Sequence, residues 1–283
     1  MKDQSIAVIT GATSGIGKAT AYGLASQGYT LALIGKDEKR GSRIRGDLRD
    51  RYPNIGVEFE AIDLSSISEV KCLSSSLTQR YDQIDILINN AGRRYDSYRS
   101  NSEGIELTFA TNHLGHFVLS NLLLPALVKS GKGRVITISS IAHHSADLNY
   151  PWIPSREIYN RHLSYANSKL ANILFAFEHA RRCESFDIKS NAVDPGIALT
   201  RFARNNGLVS WAKHILSHFT KNQLANARTS ADTIIYLANH SEANDINGKL
   251  LYNRKIAQAS PEAYDRKLAQ NLWQLSSRIT NVY

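Results

Sequence analysis

Short apolar runs alternate with longer amphipathic segments along almost the whole chain. The apolar runs predict strands over Ile6–Thr10, Thr30–Ile34, Val57–Ala61, Ile84–Ile88, Arg134–Ile138, Lys189–Val193 and Lys249–Leu251. The amphipathic segments predict helices near Gly17–Gln27, Glu38–Arg51, Ser66–Tyr81, Gly104–Ser130, Ser164–Cys183 and Ala227–Asn239, with a last helix after Ser260. Because strict alternation builds βαβ units, we expect an α/β fold: a doubly wound parallel sheet of about seven strands with helices on both faces.

The size and composition of the chain suit one such domain. Hydrophobic residues make up 42% of the 283 residues, and no internal repeat or low-complexity linker divides them, so we predict a single domain over residues 1–283. The formal net charge is +9, with the basic residues scattered, which favours a solvated surface. A basic surface attracts anions such as a phosphorylated cofactor or an acidic carrier. Nucleic acid is not an expected partner, because no recognised binding motif accompanies the charge.

Cysteine usage and the N-terminus favour a reduced, cytoplasmic protein. Cys72 and Cys183 have no CxxC spacing, and the first four residues lead straight into an apolar strand. We therefore expect no disulfide, signal peptide or membrane anchor.

The first predicted strand runs into a glycine-rich turn, Gly11–Gly17, and a helix follows. Gly11 permits a tight turn, Gly15 lets the backbone approach a pyrophosphate, and Gly17 allows close packing of the helix on the strand. The helix N-terminus would present free N–H groups to phosphates. The turn therefore predicts dinucleotide binding, with contacts from Gly11, Thr13, Ser14, Gly15, Ile16 and Gly17.

The end of the second strand predicts which dinucleotide is preferred. An acidic residue there would hydrogen-bond the ribose hydroxyls of NAD(H) and repel a 2′-phosphate. This chain has Gly35 at that point, followed by Lys36. We therefore expect NADP(H), with Lys36 near the phosphate and NAD(H) as the less favoured alternative.

Tyr165 and Lys169 form a Tyr-x-x-x-Lys pair at the start of a predicted helix, where i,i+4 spacing places both on one face. A free tyrosine has a pKa near ~10, and a neighbouring ammonium lowers it by stabilising the tyrosinate. Tyr165 could then exchange a proton with a substrate oxygen. Ser139 and Ser140 follow the fifth strand, whose carboxyl end borders the ligand crevice, and either could orient that oxygen.

Several motifs, taken in order, resemble the short-chain dehydrogenase/reductase family over about Ile6 to Arg201. These are Thr10–Gly17, Asn89-Asn90-Ala91-Gly92, the Tyr-x-x-x-Lys pair and Asp194-Pro195-Gly196-Ile197-Ala198-Leu199-Thr200. Within the family, Asn112–Phe117, Ser139–His144 and Ser168–Asn172 are similar to the retinol dehydrogenase and WW-domain oxidoreductase branch. The resemblance implies a single NAD(P)-binding Rossmann domain.

The resemblance also implies roles for individual residues. The catalytic residues would be Asn112, Ser140, Tyr165 and Lys169, with Asn112 binding a water that links Lys169 to solvent. Further cofactor contacts would come from Asp63, Leu64, Asn90, Ala91, Gly92, Tyr165, Lys169, Pro195, Gly196, Ile197 and Thr200. The chain departs from this branch in having Lys36 where arginine is usual, Asp194 where histidine is common, and no N-terminal anchor.

Two segments are expected to line the substrate pocket, residues 141–164 and residues 201–225. Long connections in compact domains are often functional, and both segments are rich in aromatic residues. The predicted pocket residues are His143, Tyr150, Trp152, Tyr159, Phe202 and Trp211. These residues favour a bulky, largely apolar ketone or aldehyde, or the corresponding alcohol, as the substrate. The net charge of +9 would also suit a substrate tethered to an acidic carrier.

The sequence also bears on a metal site, a regulatory function and the oligomeric state. The pairs His113–His116 and His143–His144 have no acidic or cysteine partner at a diagnostic spacing, so no metal site is expected. The alternative function is a regulatory or scaffold protein that senses NAD(P) without essential turnover. The predicted long helices are compatible with a homodimer or homotetramer.

Overall fold

The computed structural model describes residues 4–198, 224–225 and 227–283. Ten strands lie in this part of the chain: β1 Ile6–Thr10, β2 Thr30–Gly35, β3 Val57–Ala61, β4 Ile86–Asn89, β5 Arg134–Ile138, β6 Lys189–Val193, β7 Ile197–Ala198, β8 Leu224–Ala225, β9 Leu250–Tyr252 and β10 Lys255–Ala257. The α-helices of the same part are α1 Gly15–Ala25, α2 Glu38–Arg51, α3 Ile67–Arg80, α4 Leu107–Phe109, α5 Gly115–Leu122, α6 Leu124–Lys129, α7 Arg161–Arg182, α8 Ala227–Asn239 and α9 Arg266–Thr280.

Eight of the strands form one sheet in the order β10-β9-β6-β5-β4-β1-β2-β3. Every neighbouring pair is parallel except β9 with β10. The seven predicted strands are all present, and the α/β prediction is confirmed. The order reverses between β1 and β4, and the crevice beside such a switch point is where ligands bind in open α/β sheets.

The sheet is covered on both faces by apolar helix surfaces. One buried cluster includes Leu77 of α3, Phe117 of α5 and Leu174 of α7. The cluster on the other face includes Leu24 of α1 and Leu237 of α8. These two layers hold the strands rigidly, so the residues at the strand ends are well placed to form a site.

The eighth strand, β10, was not predicted. It pairs antiparallel with β9 after a tight turn in which Asn253 and Arg254 both have positive φ, 47° and 60°. Turns of this kind suit the twist of a hairpin, and asparagine tolerates the left-handed conformation better than most residues. Asn253 was the one residue in the sequence that could have predicted this turn, and with it the hairpin.

The prediction of one continuous helix over Gly104–Ser130 was wrong. Gly104 has φ +78° and lies outside any helix, and Ala110–Leu114 is π-helical between α4 and α5. A further break precedes α6, where Pro125 occupies the first turn and its missing N–H removes no intrahelical bond. The π-helical turn carries Asn112, and such turns are common at functional sites.

Among the described helices, none has both the length and the apolarity required to cross a bilayer. In the same residues, no group of three or more histidine, cysteine or acidic side chains is arranged to hold a metal ion.

Candidate active site

The glycine-rich turn packs directly against the segment that follows β4. Gly11 has φ +67°, and a Cβ at this position would lie 2.8 Å from the Cα of Ala91. A Cβ at Gly17 would lie 2.4 Å from the Gly11 carbonyl oxygen and 2.4 Å from Nδ2 of Asn90. No other residue fits at these two positions without moving the backbone, so the turn and the Asn90-Ala91 segment form one structural unit.

Polar contacts fix this unit at the switch point between β1 and β4. Asn90 Nδ2 donates to the Thr10 carbonyl at 2.8 Å, and the backbone N–H groups of Asn90 and Ala91 donate to the Thr10 hydroxyl at 2.9 and 3.0 Å. Ser14 precedes α1 without using its side chain to cap the helix. The first N–H groups of α1 are therefore not taken by a capping side chain, and the turn suits a pyrophosphate.

His116 links this unit to the π-helical turn through two hydrogen bonds. Its Nδ1 donates to the Asn112 carbonyl at 3.0 Å, which leaves Nε2 to accept from the Thr10 hydroxyl at 3.0 Å. Burial lowers the pKa of His116 to about 3, so the ring is neutral. This buried imidazole connects the π-helical turn to the end of β1 and has a structural role.

Lys36 and Asp63 meet at the carboxyl ends of β2 and β3. Their side chains form an ion pair, and Ser65 donates to Asp63 through its backbone N–H at 3.1 Å and its hydroxyl at 2.9 Å. Burial raises the pKa of Asp63, but the hydrogen bonds from Lys36 and Ser65 outweigh this effect and leave the pKa below its usual range. A Cβ at Gly35 would lie 2.8 Å from Cγ2 of Thr13, so an acidic side chain at this position would have to displace the Thr13 side chain.

Ser140, Tyr165 and Lys169 come together at the end of β5. The Ser140 and Tyr165 side chains are hydrogen-bonded to each other. The Lys169 ammonium lies 5.6 Å from the centre of the Tyr165 ring and donates to the Ile138 carbonyl at 3.1 Å. Both α7 residues are buried, as expected for side chains on its inner face.

The structure separates the two serines that the sequence left open. Ser139 is buried and its hydroxyl donates to the Lys169 carbonyl at 2.8 Å, which anchors α7 to β5. Ser140 begins the 3₁₀ turn Ile141–Ser145 and reaches Tyr165. Ser140 is therefore the serine positioned beside the tyrosine.

Asn112 lies next to Lys169, with its side chain fully engaged. Its Nδ2 donates to the Arg93 carbonyl at 3.0 Å and to the Ser168 hydroxyl at 2.9 Å, and its Oδ1 accepts from the Arg93 N–H at 2.7 Å. A Cβ at Gly92 would lie 3.2 Å from the Lys169 ammonium and 3.5 Å from Oδ1 of Asn112. The asparagine thus fixes the segment after β4 against α7, and its proposed role in a water relay stays a prediction.

Asp194 adds a carboxyl group that sequence reasoning noted only as a departure. Its Oδ1 accepts from the Gly196 N–H at 2.9 Å, and the Ile141 N–H also donates to the carboxyl group. Burial raises the pKa of Asp194 to about 6. This side chain joins the loops after β5 and β6, on either side of the Tyr165–Lys169 pair.

Burial is the largest influence on the pKa values of Tyr165 and Lys169. It lowers the pKa of Lys169 to about 8, which nearby Asp194 partly opposes. Burial raises the pKa of Tyr165 well above its usual range, the Ser140 hydrogen bond lowers it in part, and Asp194 raises it further. Tyr165 is therefore a neutral phenol at neutral pH, the form that can donate a proton to a carbonyl oxygen.

The predicted pocket residues of the segment 141–164 mostly serve to hold that segment in place. Tyr150 contacts the Ser164 hydroxyl at 3.0 Å and accepts from the Asn160 N–H at 2.8 Å. Tyr159 donates to the Tyr95 carbonyl at 2.7 Å. These contacts tie the segment to α7 and to the loop after β4, so it forms a fixed wall.

His143 and Trp152 pack inward. His143 is buried, its Nδ1 donates to the Ser140 carbonyl at 2.7 Å, and its Nε2 accepts from the Ser260 N–H at 3.2 Å. Both ring nitrogens of His143 are therefore engaged by the backbone, and its role as a substrate-pocket residue stays a prediction. Trp152 is partly buried on the core beside Phe109, with ring centres 6.3 Å apart.

Three predicted residues, Thr200, Phe202 and Trp211, lie outside the described residues, as does most of the segment 201–225. Pro195 and Gly196 follow β6, and Gly196 has φ +70°, which a glycine adopts readily. Ile197 begins β7, which pairs with β8. Leu64, the remaining predicted cofactor contact, is buried in the core just after Asp63.

Comparisons with known proteins agree with this geometry. A family model described as short chain dehydrogenase matches residues 5–208. Human retinol dehydrogenase 12 is 33% identical over 277 residues, covering 98% of this chain and 86% of the relative. Human polyprenol dehydrogenase is 34% identical over 285 residues, covering 98% and 85%.

Solved structures share the fold over most of their length. An uncharacterized protein from Mycobacterium paratuberculosis superposes with a TM-score of 0.76 at 30% identity, over 99% of this chain and 94% of the other. L-sorbose reductase from Gluconobacter frateurii, in complex with NADPH and L-sorbose, superposes with a TM-score of 0.69 at 22% identity, over 87% and 94%. The second likeness is one of fold alone.

Proposed function

The chain belongs to the short-chain dehydrogenase family and is an oxidoreductase of that kind, and we propose that it uses NADP(H) to reduce a bulky, largely apolar ketone or aldehyde, or to run the reverse oxidation. The observation that carries this proposal is the assembly of Ser140, Tyr165 and Lys169 at the end of β5, beside the dinucleotide turn.

The chain's own residues fit a nicotinamide dinucleotide. The turn at Gly11 and Gly17 leaves no room for side chains, and Ser14 leaves the start of α1 uncapped. Phosphates would be held by these backbone N–H groups, and Asp63 with Lys36 would face the adenosine end. The bound cofactor supplies or accepts the hydride.

The protein side of the reaction is proton transfer. Ser140 hydrogen-bonds the substrate oxygen and holds it beside Tyr165. Tyr165 donates its phenolic proton to that oxygen as negative charge develops on it, which is general acid catalysis. The nearby Lys169 ammonium stabilises the resulting tyrosinate, since an opposite charge within a few ångströms favours the ionised form. In alcohol oxidation the same groups act in the opposite direction.

The preference for NADP(H) rests on the ends of β2 and β3. Gly35 presents no carboxylate that would repel a 2′-phosphate, and Lys36 is exposed with its ammonium at the edge of the site. An ammonium is a common ligand for a phosphate. The pairing of Lys36 with Asp63 keeps the lysine at this edge.

The apolar character of the substrate is supported by the surroundings and by the relatives. Trp152 and Ile153 pack on the apolar core within the segment 141–164. The names of two relatives, retinol dehydrogenase and polyprenol dehydrogenase, specify alcohols with long apolar chains. A cytoplasmic location and a homodimer or homotetramer stay predictions.

Transfer of deuterium from the cofactor tests the reaction. The purified protein is incubated with NADPH deuterated at C4, separately on each face, and with all-trans-retinal, decanal or acetophenone. We expect at least one alcohol product to carry one deuterium on the carbinol carbon, from one face only. A parallel reaction with ordinary NADPH in heavy water should leave that carbon unlabelled, because the solvent proton goes to oxygen.

A protein that binds NADPH but labels none of these alcohols from either face would contradict the proposal. That result would instead favour the NAD(P)-sensing function, which requires binding without turnover.

A further inference from the structure

Arg94 lies beside the proposed catalytic tyrosine and has no adequate counter-ion. We infer that the substrate carries an anionic group, a carboxylate or a phosphate, and that the Arg94 guanidinium binds it while Tyr165 acts on the carbonyl. This inference rests on the proposed function and narrows its substrate class to largely apolar carbonyl compounds with an acidic group.

The first observation is that Arg94 is buried with two of its three guanidinium nitrogens lacking a hydrogen-bond partner among the described residues. Its side chain is 2% exposed, and among the described residues neither Nε nor Nη2 has a hydrogen-bond partner. The nearest carboxylate, Asp96, lies 3.9 Å from Nη2, beyond hydrogen-bond distance. Asp96 is itself 57% exposed and accepts from Arg161 at 3.1 Å. It is a weak partner for a buried cation.

Such an arrangement is costly unless a ligand completes it. A guanidinium stays protonated in proteins, so it cannot escape burial by losing its charge. Burial lowers the pKa of Arg94, and the positive charge of Arg161 lowers it further, so the site disfavours this cation as it stands. Burying an unpaired charge costs several kcal/mol. A bound anion would supply the missing acceptors, and the planar guanidinium fork matches carboxylate and phosphate oxygens.

The second observation is the position of Arg94. Its neighbour Arg93 is clamped on both backbone groups by Asn112, at 2.7 and 3.0 Å. The next residue, Tyr95, is tied through its carbonyl to Tyr159. Arg94 therefore lies between two fixed points, the contact of Arg93 with Asn112 and the contact of Tyr95 with Tyr159 in the segment 141–164. Its charge acts on Tyr165 and lowers the pKa of that phenol.

The other charged and titratable groups around Arg94 are mainly cationic or neutral. Arg161, His162, Asp96, Tyr159 and Tyr165 are the groups that face it or share its surroundings. Asp96 is the only carboxylate in this set, and Arg161 already binds it. The local field therefore favours an incoming anion.

The test compares carbonyl compounds that carry an acidic group with neutral counterparts of the same carbon skeleton around the ketone. Benzoylformate is compared with its methyl ester, and phenacyl phosphate with phenacyl alcohol. Turnover of each compound is measured with NADPH. Its effect on the Tm is measured with saturating NADP⁺ in a thermal-shift assay. The proteins are wild type, Arg94→Met, Arg94→Lys and the control Arg99→Met, which removes an exposed arginine from the same loop.

In wild type we expect kcat/KM for at least one anion to exceed that of its neutral partner by about tenfold or more, the range of a charge-assisted hydrogen bond. Arg94→Met should abolish this preference, because any effect of the lost charge on Tyr165 changes turnover of both members of a pair by the same factor. Arg94→Lys should keep part of the preference, and Arg99→Met all of it. The pair that shows the preference identifies carboxylate or phosphate as the ligand.

The thermal-shift arm separates the two claims. The favoured anion should raise the Tm of wild type and not that of Arg94→Met. If it does so while no compound is turned over, the proposed function is refuted and the anion site is retained. Equal kcat/KM and equal Tm shifts for the anionic and neutral members of both pairs in wild type would overturn the inference, whether or not Arg94→Met folds.

Discussion

Replacement of Tyr165 by phenylalanine is expected to lower kcat for carbonyl reduction about 10²- to 10⁴-fold, the usual contribution of a positioned general acid. In the proposed reaction the phenol donates its proton to the substrate oxygen, and the buried phenyl ring should keep its place without the hydroxyl. Binding of NADPH should change little, because the Gly11–Gly17 turn does not depend on this hydroxyl. Steady-state kinetics with NADPH and fluorescence titration of the same protein measure both quantities.

Tyr29→Phe is the matched control. Tyr29 is also buried, and its hydroxyl donates to Asn239 at 3.1 Å, but it lies before β2, at the opposite edge of the sheet. Its loss should leave kcat near the wild-type value. A Tyr165→Phe protein that retained wild-type kcat would remove the proton-transfer role assigned to the tyrosine.

Gly17→Ala is expected to lower the affinity for NADPH at least about tenfold and to destabilise the fold by about 1–3 kcal/mol, as overpacking does. The new methyl group would lie 2.4 Å from the Gly11 carbonyl and from Asn90 Nδ2. Both neighbours belong to the turn that would bind the pyrophosphate, so relieving the clash deforms the site itself. Calorimetric titration gives the affinity, and urea denaturation gives the free energy of unfolding.

Gly46→Ala tests whether this effect is local. Gly46 lies within α2, where a Cβ would have nothing within 4 Å. Since alanine is the better helix former, this variant should be slightly more stable and should bind NADPH as wild type does. Equal affinities for wild type and Gly17→Ala would show that the turn does not contact the cofactor.

The fold was largely predictable because the βαβ pattern is a property of local sequence. All seven predicted strands form, and apolar periodicity placed α2 and α8 within the observed bounds. The failures lie where local pattern and tertiary contacts disagree. The segment from Gly104 reads as one apolar helix, yet its glycine with φ +78° and its π-helical turn around Asn112 divide it. In the π-helical turn, Asn112 contacts Arg93 and Ser168, which are distant from it in sequence.

The site shows the same division. The pairing of Tyr165 with Lys169 followed from helical spacing. The end of a strand indicated Ser139 or Ser140, and the family resemblance favoured Ser140. The placement of Arg94 and Asp194 near Tyr165 did not follow from the sequence, because a charged residue after a strand usually faces solvent. Two consecutive arginines directly after Gly92 were the only signal for Arg94. The contacts of His143 could not be predicted from the sequence, because its ring binds backbone groups of Ser140 and Ser260, which lie far apart in the chain.

A calorimetric titration of the purified protein with NADPH and with NADH is the most direct test that this edge of the sheet is an NADP(H) site. We predict one NADPH per chain, bound at least about tenfold more tightly than NADH, since the ammonium of Lys36 would pair with the 2′-phosphate. Lys36→Asp should abolish the difference, and Lys255→Asp, which reverses an exposed charge on β10, should preserve it. Equal or tighter binding of NADH by wild type would contradict the cofactor assignment. The absence of binding of either dinucleotide, by calorimetry and by nicotinamide fluorescence, would contradict the proposed function as a whole.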